Sequence, residues 1–263
     1  MSQRLRDRFS EARAAGKALF IPYVTAGYPT PAHTPDLLLA MEAGGADVVE
    51  VGMPFTDPLA DGATIQHANQ VALEQHVTFS RCLELVAEAR ARGLTVPVLF
   101  MGYYNPILSF GEERACAAAK AAGADGFIIV DLPAEEASDF LAACARHDLS
   151  FVPLFAPTTN ENRMDALAKT ADAFIYCVSV TGTTGGKIVN PTDLPAFIDR
   201  VRAHTNLPIA VGFGVSTRAH VEAIGRIAEA AVVGSAIIAR IDAAGPDRCV
   251  ASVREFVEDV SGQ

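Results

Sequence analysis

The chain has 263 residues, half of them hydrophobic, and a formal net charge of −10. That length suits one large domain with a substantial core, and the even spread of apolar residues excludes global disorder. The acidity argues against nucleic acid or an anionic membrane as partner, since both reward basic patches.

In chain order, residues 1–17 (MSQRLRDRFSEARAAGK) lack the apolar core of a signal peptide and read as an amphipathic helix with Leu5 and Phe9 inward. Short apolar, β-branched runs then recur at regular intervals. They predict strands at Leu19–Val24, Asp47–Gly52, Val96–Met101, Gly126–Val130, Phe151–Phe155, Ala173–Ser179, Pro208–Gly212 and Ala230–Gly234. Helical spacing fills the intervals. Thr34-Pro35 reads as an N-cap followed by a first-turn proline, and Ser216 reads as the cap of the helix in TRAHVEAIGRIAEA. One punctuation repeats between helix and strand: AGGADVVEV, AAGADGFIIV and KTADAFIYCV. Glycine just past a helix end supplies a left-handed turn, and the next strand follows at once.

Runs apolar on both faces belong to a parallel sheet covered by helices. Eight strand–helix units in about 250 residues predict an α/β fold: a single-domain (β/α)8 TIM barrel over residues 1–263 with an extra N-terminal helix. An open doubly wound sheet would carry a glycine-rich turn after its first strand, and VTAGYPTPAHTP contains no GxGxxG. The five cysteines (Cys82, Cys116, Cys144, Cys177, Cys249) are odd in number and form no CxxC pair, which predicts buried thiols in a reducing compartment. No apolar run approaches the roughly 20 residues needed to span a bilayer. The expectation is a soluble, cytoplasmic protein.

In a barrel of this kind the chemistry sits at the C-terminal ends of the strands. The stretch EVGMPFTDPLADG, Glu50–Gly62, puts a carboxylate near the end of the second strand and two aspartates in the loop after it. Burying an ionised carboxylate without a partner costs several kcal/mol or raises its pKa, so Glu50 is either neutralised by a partner or used in a reaction. Taken singly, Asp57 and Asp61 read as loop-stabilising turn residues. Asp131 falls just past the fourth strand and Tyr176 within the sixth. The segments VGFGVST (Val211–Thr217) and VVGSAII (Val232–Ile238) place glycines between a strand and a helix N-terminus. There, backbone N–H groups and the helix dipole favour an anion, and the loops after strands seven and eight are the usual phosphate cradle of this fold.

The segment VTGTTGGKIVNP, Val180–Pro191, fails as a P-loop because Thr181 stands at the first glycine position and Ile188 follows Lys187. It reads as a polar lid. The six histidines fall in loops or helices without HxxxH spacing, so no metal is expected. No lysine ends a strand to form a Schiff base. What is left is acid–base chemistry by carboxylates on a phosphorylated substrate.

These residues resemble the tryptophan synthase alpha-subunit family, the indole-3-glycerol-phosphate lyases, almost end to end. The resemblance rests on FIPYVTAGYP, on VGSAII and above all on Glu50 followed by PFTDPLADG (Pro54–Gly62) and Ile65-Gln66. It implies a lyase that splits indole-3-glycerol phosphate into indole and glyceraldehyde 3-phosphate by a retro-aldol reaction. On the same basis Glu50 is the general acid–base residue, and Asp61 accepts the indole N–H. Tyr23, Tyr103, Tyr176 and Phe213 match the aromatic substrate positions, Thr184 matches the lid residue that meets Asp61, and Gly185, Gly212, Gly214, Gly234 and Ser235 match the phosphate cradle. Asp57 and Pro58 match the loop that meets a beta subunit in an alpha–beta–beta–alpha heterotetramer. The pyridoxal phosphate is expected on that partner and no cofactor in this chain. Where some members carry an arginine ahead of the lid glycines, this chain has Val180. A stand-alone lyase and an idle regulatory subunit remain the alternative readings.

Overall fold

The computed structural model describes residues 2–178, 193–212 and 214–262. Among the described residues there are nine strand segments: β1 (Leu19–Thr25), β2 (Val49–Gly52), β3 (Val98–Gly102), β4 (Gly126–Ile129), β5 (Ser150–Phe151), β6 (Leu154–Phe155), β7 (Ile175–Val178), β8 (Ile209–Gly212) and β9 (Ala230–Val233). They form one sheet in the order β5-β4-β3-β2-β1-β9-β8-β7-β6, every pairing parallel.

The two ends of that order are halves of the predicted fifth strand. Val152 N–H still donates to Phe127 O at 2.9 Å on one side, and Pro153 O accepts from Tyr176 N–H at 3.1 Å on the other. The sheet therefore closes on itself through Val152–Pro153. Proline brings no N–H to the ladder, which accounts for the break. The (β/α)8 barrel expected from sequence is the observed fold, its fifth strand divided at this proline.

Side chains alternate with the two-residue period of a strand. Leu19, Ile21, Val48, Leu99, Ile128, Val152, Phe174, Tyr176, Ala210, Ala230 and Val232 fill the barrel interior. The intervening Phe20, Val24, Val49, Val51, Phe100, Phe127, Ile175, Val211 and Val233 face the helix layer. The N-terminal helix Gln3–Ala15 sends Leu5 and Phe9 into the inner set, and the Phe9 and Phe174 ring centres lie 5.2 Å apart. One end of the barrel is plugged in this way, leaving the other for a ligand.

The repeated Ala-Asp punctuation has a structural use beyond turning the chain. Gly45 and Gly123 take the positive φ angles of the turns, 101° and 88°. The following aspartates then reach to the neighbouring strand. Asp47 accepts the Phe20 N–H at 2.7 Å, and Asp125 accepts the Val98 N–H at 2.9 Å. Glu229 does the same ahead of β9, taking the Ile209 N–H at 2.8 Å. Buried Asp125 also accepts from Ser2 Oγ at 2.6 Å and from Arg90 Nη2 at 3.0 Å, with Arg4 Nη1 at 3.0 Å.

Two helix caps differ from the sequence reading. Thr34 lies inside the helix His33–Ala43, and its Oγ1 accepts the Gly27 N–H at 2.9 Å, tying down the loop after β1. Thr217, not Ser216, caps the helix Arg218–Gly225 by accepting the His220 N–H at 3.3 Å. Among the described residues, no helix is long and apolar enough to cross a membrane.

Removing the Asp125 carboxylate strands the Arg90 guanidinium and the Val98 N–H. Asp125→Ala is expected to lower stability by about 3–5 kcal/mol in urea unfolding, the range for breaking a buried ion pair from one side. A loss below about 1 kcal/mol would show that the network is solvated.

Candidate active site

Glu50 has the parity of the barrel-filling residues: Val48, two positions before it, points inward, and Glu50 is paired with Tyr23 of β1 and Leu99 of β3. It is fully buried, and neither carboxyl oxygen meets a hydrogen-bond partner among the described residues. Such a group lowers its free energy by keeping its proton. Burial accordingly raises Glu50 from its ordinary 4.5 to about 8.

Asp61 comes to the same end of the barrel on the loop between β2 and the helix Ala63–Glu74. The loop is held from several sides. Ala60 N–H donates to Tyr103 Oη at 2.9 Å, Asp61 N–H donates to Pro58 O at 3.0 Å, and Gln66 Nε2 donates to Asp61 O at 2.9 Å. Asn69 Nδ2 donates to Asp61 Oδ2 at 3.2 Å. Burial raises Asp61 to about 6, with hydrogen bonds from Asn69 and Tyr103 opposing the rise.

Three of the aromatic positions predicted from the sequence surround these carboxyl groups. Burial is the largest cause raising Tyr23 and Tyr176 far above the ordinary tyrosine range; after it, the fields of Asp61 and Glu50 act on both phenols. Tyr103 is raised by burial and by Asp61, and its ring stacks on Phe55 with centres 4.8 Å apart. The two deepest tyrosines fit because glycine faces each of them. A Cβ on Gly52 would lie 2.0 Å from Tyr23 Oη, and one on Gly212 would lie 2.2 Å from Tyr176 Oη. The Tyr23 and Thr25 hydroxyls are 3.0 Å apart.

The anion-facing glycines stand at the ends of β8 and β9. Gly214 is exposed at φ 66°, with nothing among the described residues within 4 Å of where a side chain would begin. Gly234 is the N-cap of the helix Ser235–Ala244, whose first residue is exposed. A first helical turn leaves N–H groups that its own carbonyls cannot satisfy. Gly212 is occupied differently, by the Tyr176 hydroxyl. Asp57 is exposed and Pro58 half-buried, next to Leu59 at 78% exposure. Asp131 accepts the Tyr104 N–H at 2.7 Å, so this strand-end carboxylate holds backbone. Phe213, Thr184, Gly185, Val180 and the whole predicted lid lie outside the described residues.

Asn69, Thr25 and Gly52 are not singled out by the sequence reading, and Gln66 enters it only as part of the family motif. A signal existed for Asn69: it interrupts the buried alanines of its helix, Ala68 and Ala72.

Carboxyl groups held protonatable near neutrality by burial at one end of a closed barrel mark an acid–base enzyme of the (β/α)8 class. Comparison with known proteins carries this further. The family described as tryptophan synthase alpha chain matches residues 9–262. The alpha chain of Chloroflexus aurantiacus is 46% identical over 98% of this chain and 97% of its own length, and that of a Roseiflexus species is 47% identical over 98% and 99%. The Saccharomyces cerevisiae tryptophan synthase is 45% identical over 99% of this chain, which spans 37% of the yeast protein. The solved Legionella pneumophila alpha subunit superposes with a TM-score of 0.92 at 31% identity, covering 100% of this chain and 98% of that one. The chain belongs to the tryptophan synthase alpha-chain family, whose role is to cleave indole-3-glycerol phosphate in tryptophan biosynthesis.

The buried state of Glu50 has a thermodynamic signature. Below pH 4.5 the carboxyl is protonated folded and unfolded alike, and burial carries no charge penalty. Between 4.5 and about 8 the unfolded chain releases the proton while the folded chain keeps it, so stability is withdrawn as pH rises. Glu50→Gln cannot ionise. It is expected to be more stable than wild type at pH 8, on the order of 4 kcal/mol, with the gain shrinking toward pH 5 in urea unfolding. A pH-independent difference would mean that Glu50 is ionised in the fold.

Proposed function

We propose that Glu50 and Asp61 carry out the family's cleavage in this chain, Glu50 as the acid that becomes the base and Asp61 as the acceptor of the indole N–H. The observation that carries the reading is the Glu50 carboxyl, fully buried at the barrel mouth with no partner for either oxygen among the described residues. It starts protonated and gives its proton to the indole ring carbon that bears the glycerol chain. Positive charge develops toward the indole nitrogen, where the Asp61 carboxylate stabilises it. The bond between ring carbon and glycerol carbon breaks, its electrons restoring the aromatic ring. The glycerol hydroxyl becomes the aldehyde carbonyl and returns its proton to Glu50. One residue serves both steps because its pKa lies near neutrality.

Tyr23, Tyr103, Tyr176 and Phe213 would wall the indole, with Thr184 meeting Asp61 from the lid. Gly185, Gly212, Gly214, Gly234 and Ser235 would hold the phosphate. The open backbone at Gly214 and the helix start at Ser235 support this for the described members. Asp57 and Pro58 would meet a tryptophan synthase beta subunit in an alpha–beta–beta–alpha heterotetramer, with pyridoxal phosphate on that partner and no cofactor here. Support comes from exposed Leu59 beside them and from the yeast tryptophan synthase, nearly two-thirds of which lies outside the match. The proposed location is the cytoplasm.

The test is indole release from indole-3-glycerol phosphate by the purified chain. Glu50→Gln is expected to lose about 10²–10⁴-fold in kcat, and Asp61→Asn about 10²-fold or more. The profile of kcat/KM against pH should be a bell. It falls above about 8 as Glu50 loses the proton that it must donate, and below about 6 as Asp61 gains one. Wild-type activity in Glu50→Gln would overturn the assignment, and absence of indole even with a beta subunit would overturn the reaction.

A further inference from the structure

Asn69 is placed oddly for a structural residue. It sits on the inward face of the helix Ala63–Glu74 with Ala68 and Ala72, and it is only 3% exposed. Small apolar side chains would serve that face, and a buried amide gains from it only when both of its ends are hydrogen-bonded. Here they are not. Nδ2 donates to Asp61 Oδ2 at 3.2 Å, while Oδ1 is buried without a donor among the described residues. The one polar contact that this amide makes among the described residues is therefore with the carboxylate at the barrel mouth.

We propose that Asn69 is a positioning residue for the cleavage, grasping one oxygen of Asp61 from behind so that the other faces the substrate. This rests on the reading of Asp61 as the acceptor of the indole N–H. The backbone of the loop is fixed by other groups, namely Tyr103 Oη on Ala60 and Gln66 Nε2 on the Asp61 carbonyl. The carboxylate itself accepts from Asn69 Nδ2 at 3.2 Å, and the Tyr103 hydroxyl is its second hydrogen-bond partner. Among the described residues, the titratable groups that act on Asp61 are Tyr103, Tyr23 and Tyr176, none of them a cation. Neutral donors, Asn69 from behind and the Tyr103 hydroxyl, are thus what oppose the effect of burial on this carboxylate, and Asn69 aims it. A lysine or arginine there would hold the negative charge more firmly but would oppose the positive charge that forms on the indole nitrogen.

The experiment uses the full chain with ¹³C-labelled aspartate, Asp61→Asn assigning the resonance. Asn69→Leu keeps the bulk and removes the donor; Asn69→Asp keeps the shape and adds a like charge. The Asp61 titration should move upward from about 6 in Asn69→Leu, by on the order of one pH unit, and further in Asn69→Asp. The acid limb of kcat/KM should move with it, a loss of roughly fivefold at pH 6 and about twofold at pH 7. Asn69→Asp serves alone if Asn69→Leu does not melt cooperatively. If the Asp61 titration and the acid limb both stay in place, the positioning role is overturned and the reading of Asp61 stands. If the titration moves while the acid limb stays, Asp61 is not the acceptor, and both ideas fall together.

Discussion

Desolvation of one carboxyl group is the constraint on which the rest of this site depends. A closed barrel of eight strands has an interior filled by side chains, with no room for the water that would stabilise a charge. Glu50 occupies an interior position by strand parity alone, two residues after Val48. No cation among the described residues is brought to it, and burial favours the form that keeps its proton. The same dryness that costs stability at high pH gives the group a proton to donate near neutrality, when a solvated glutamate would already have lost it.

The surroundings follow from that choice. Two tyrosines flank the carboxyl, each seated where a neighbouring strand carries glycine in place of a side chain, Gly52 under Tyr23 and Gly212 under Tyr176. Phenols bring dipoles without charge, so they can line the mouth without ionising Glu50. Asp61 stands on a loop at the rim, less deeply buried, hydrogen-bonded to Asn69 and titrating lower. Two carboxyl groups with pKa values pushed apart by their environments divide into an acid and an anion.

Much of this was legible in the sequence. Strand positions followed from β-branched runs apolar on both faces, and the carboxylate at the end of the second strand stood out because such runs exclude charge. The fold reading missed what depends on hydrogen-bond geometry: the division of the fifth strand at Pro153, the cap supplied by Thr217 rather than Ser216, and the use of Thr34 to tie Gly27 rather than to cap a helix. The Ala-Asp repeat was read as chain punctuation, yet Asp47 and Asp125 turn out to stitch adjacent strands at the barrel floor. In the site, strand-end residues can be named as candidates because their position identifies them. Asn69 and Gly52 cannot, since each acts on a residue distant in sequence. An asparagine in a helix and a glycine at a strand end have many ordinary explanations until Asp61 and Tyr23 are seen beside them.

The central claim is that Glu50 holds a proton at neutral pH. Infrared difference spectroscopy of wild type against Glu50→Gln, across pH 5 to 9, reads that proton directly through the carboxyl C=O stretch. A neutral-acid band is expected at pH 7, bleaching with a midpoint near 8. A carboxylate signal already complete at pH 6 would contradict it, because Glu50 would then be an ionised group with a partner, and the reaction would need another acid.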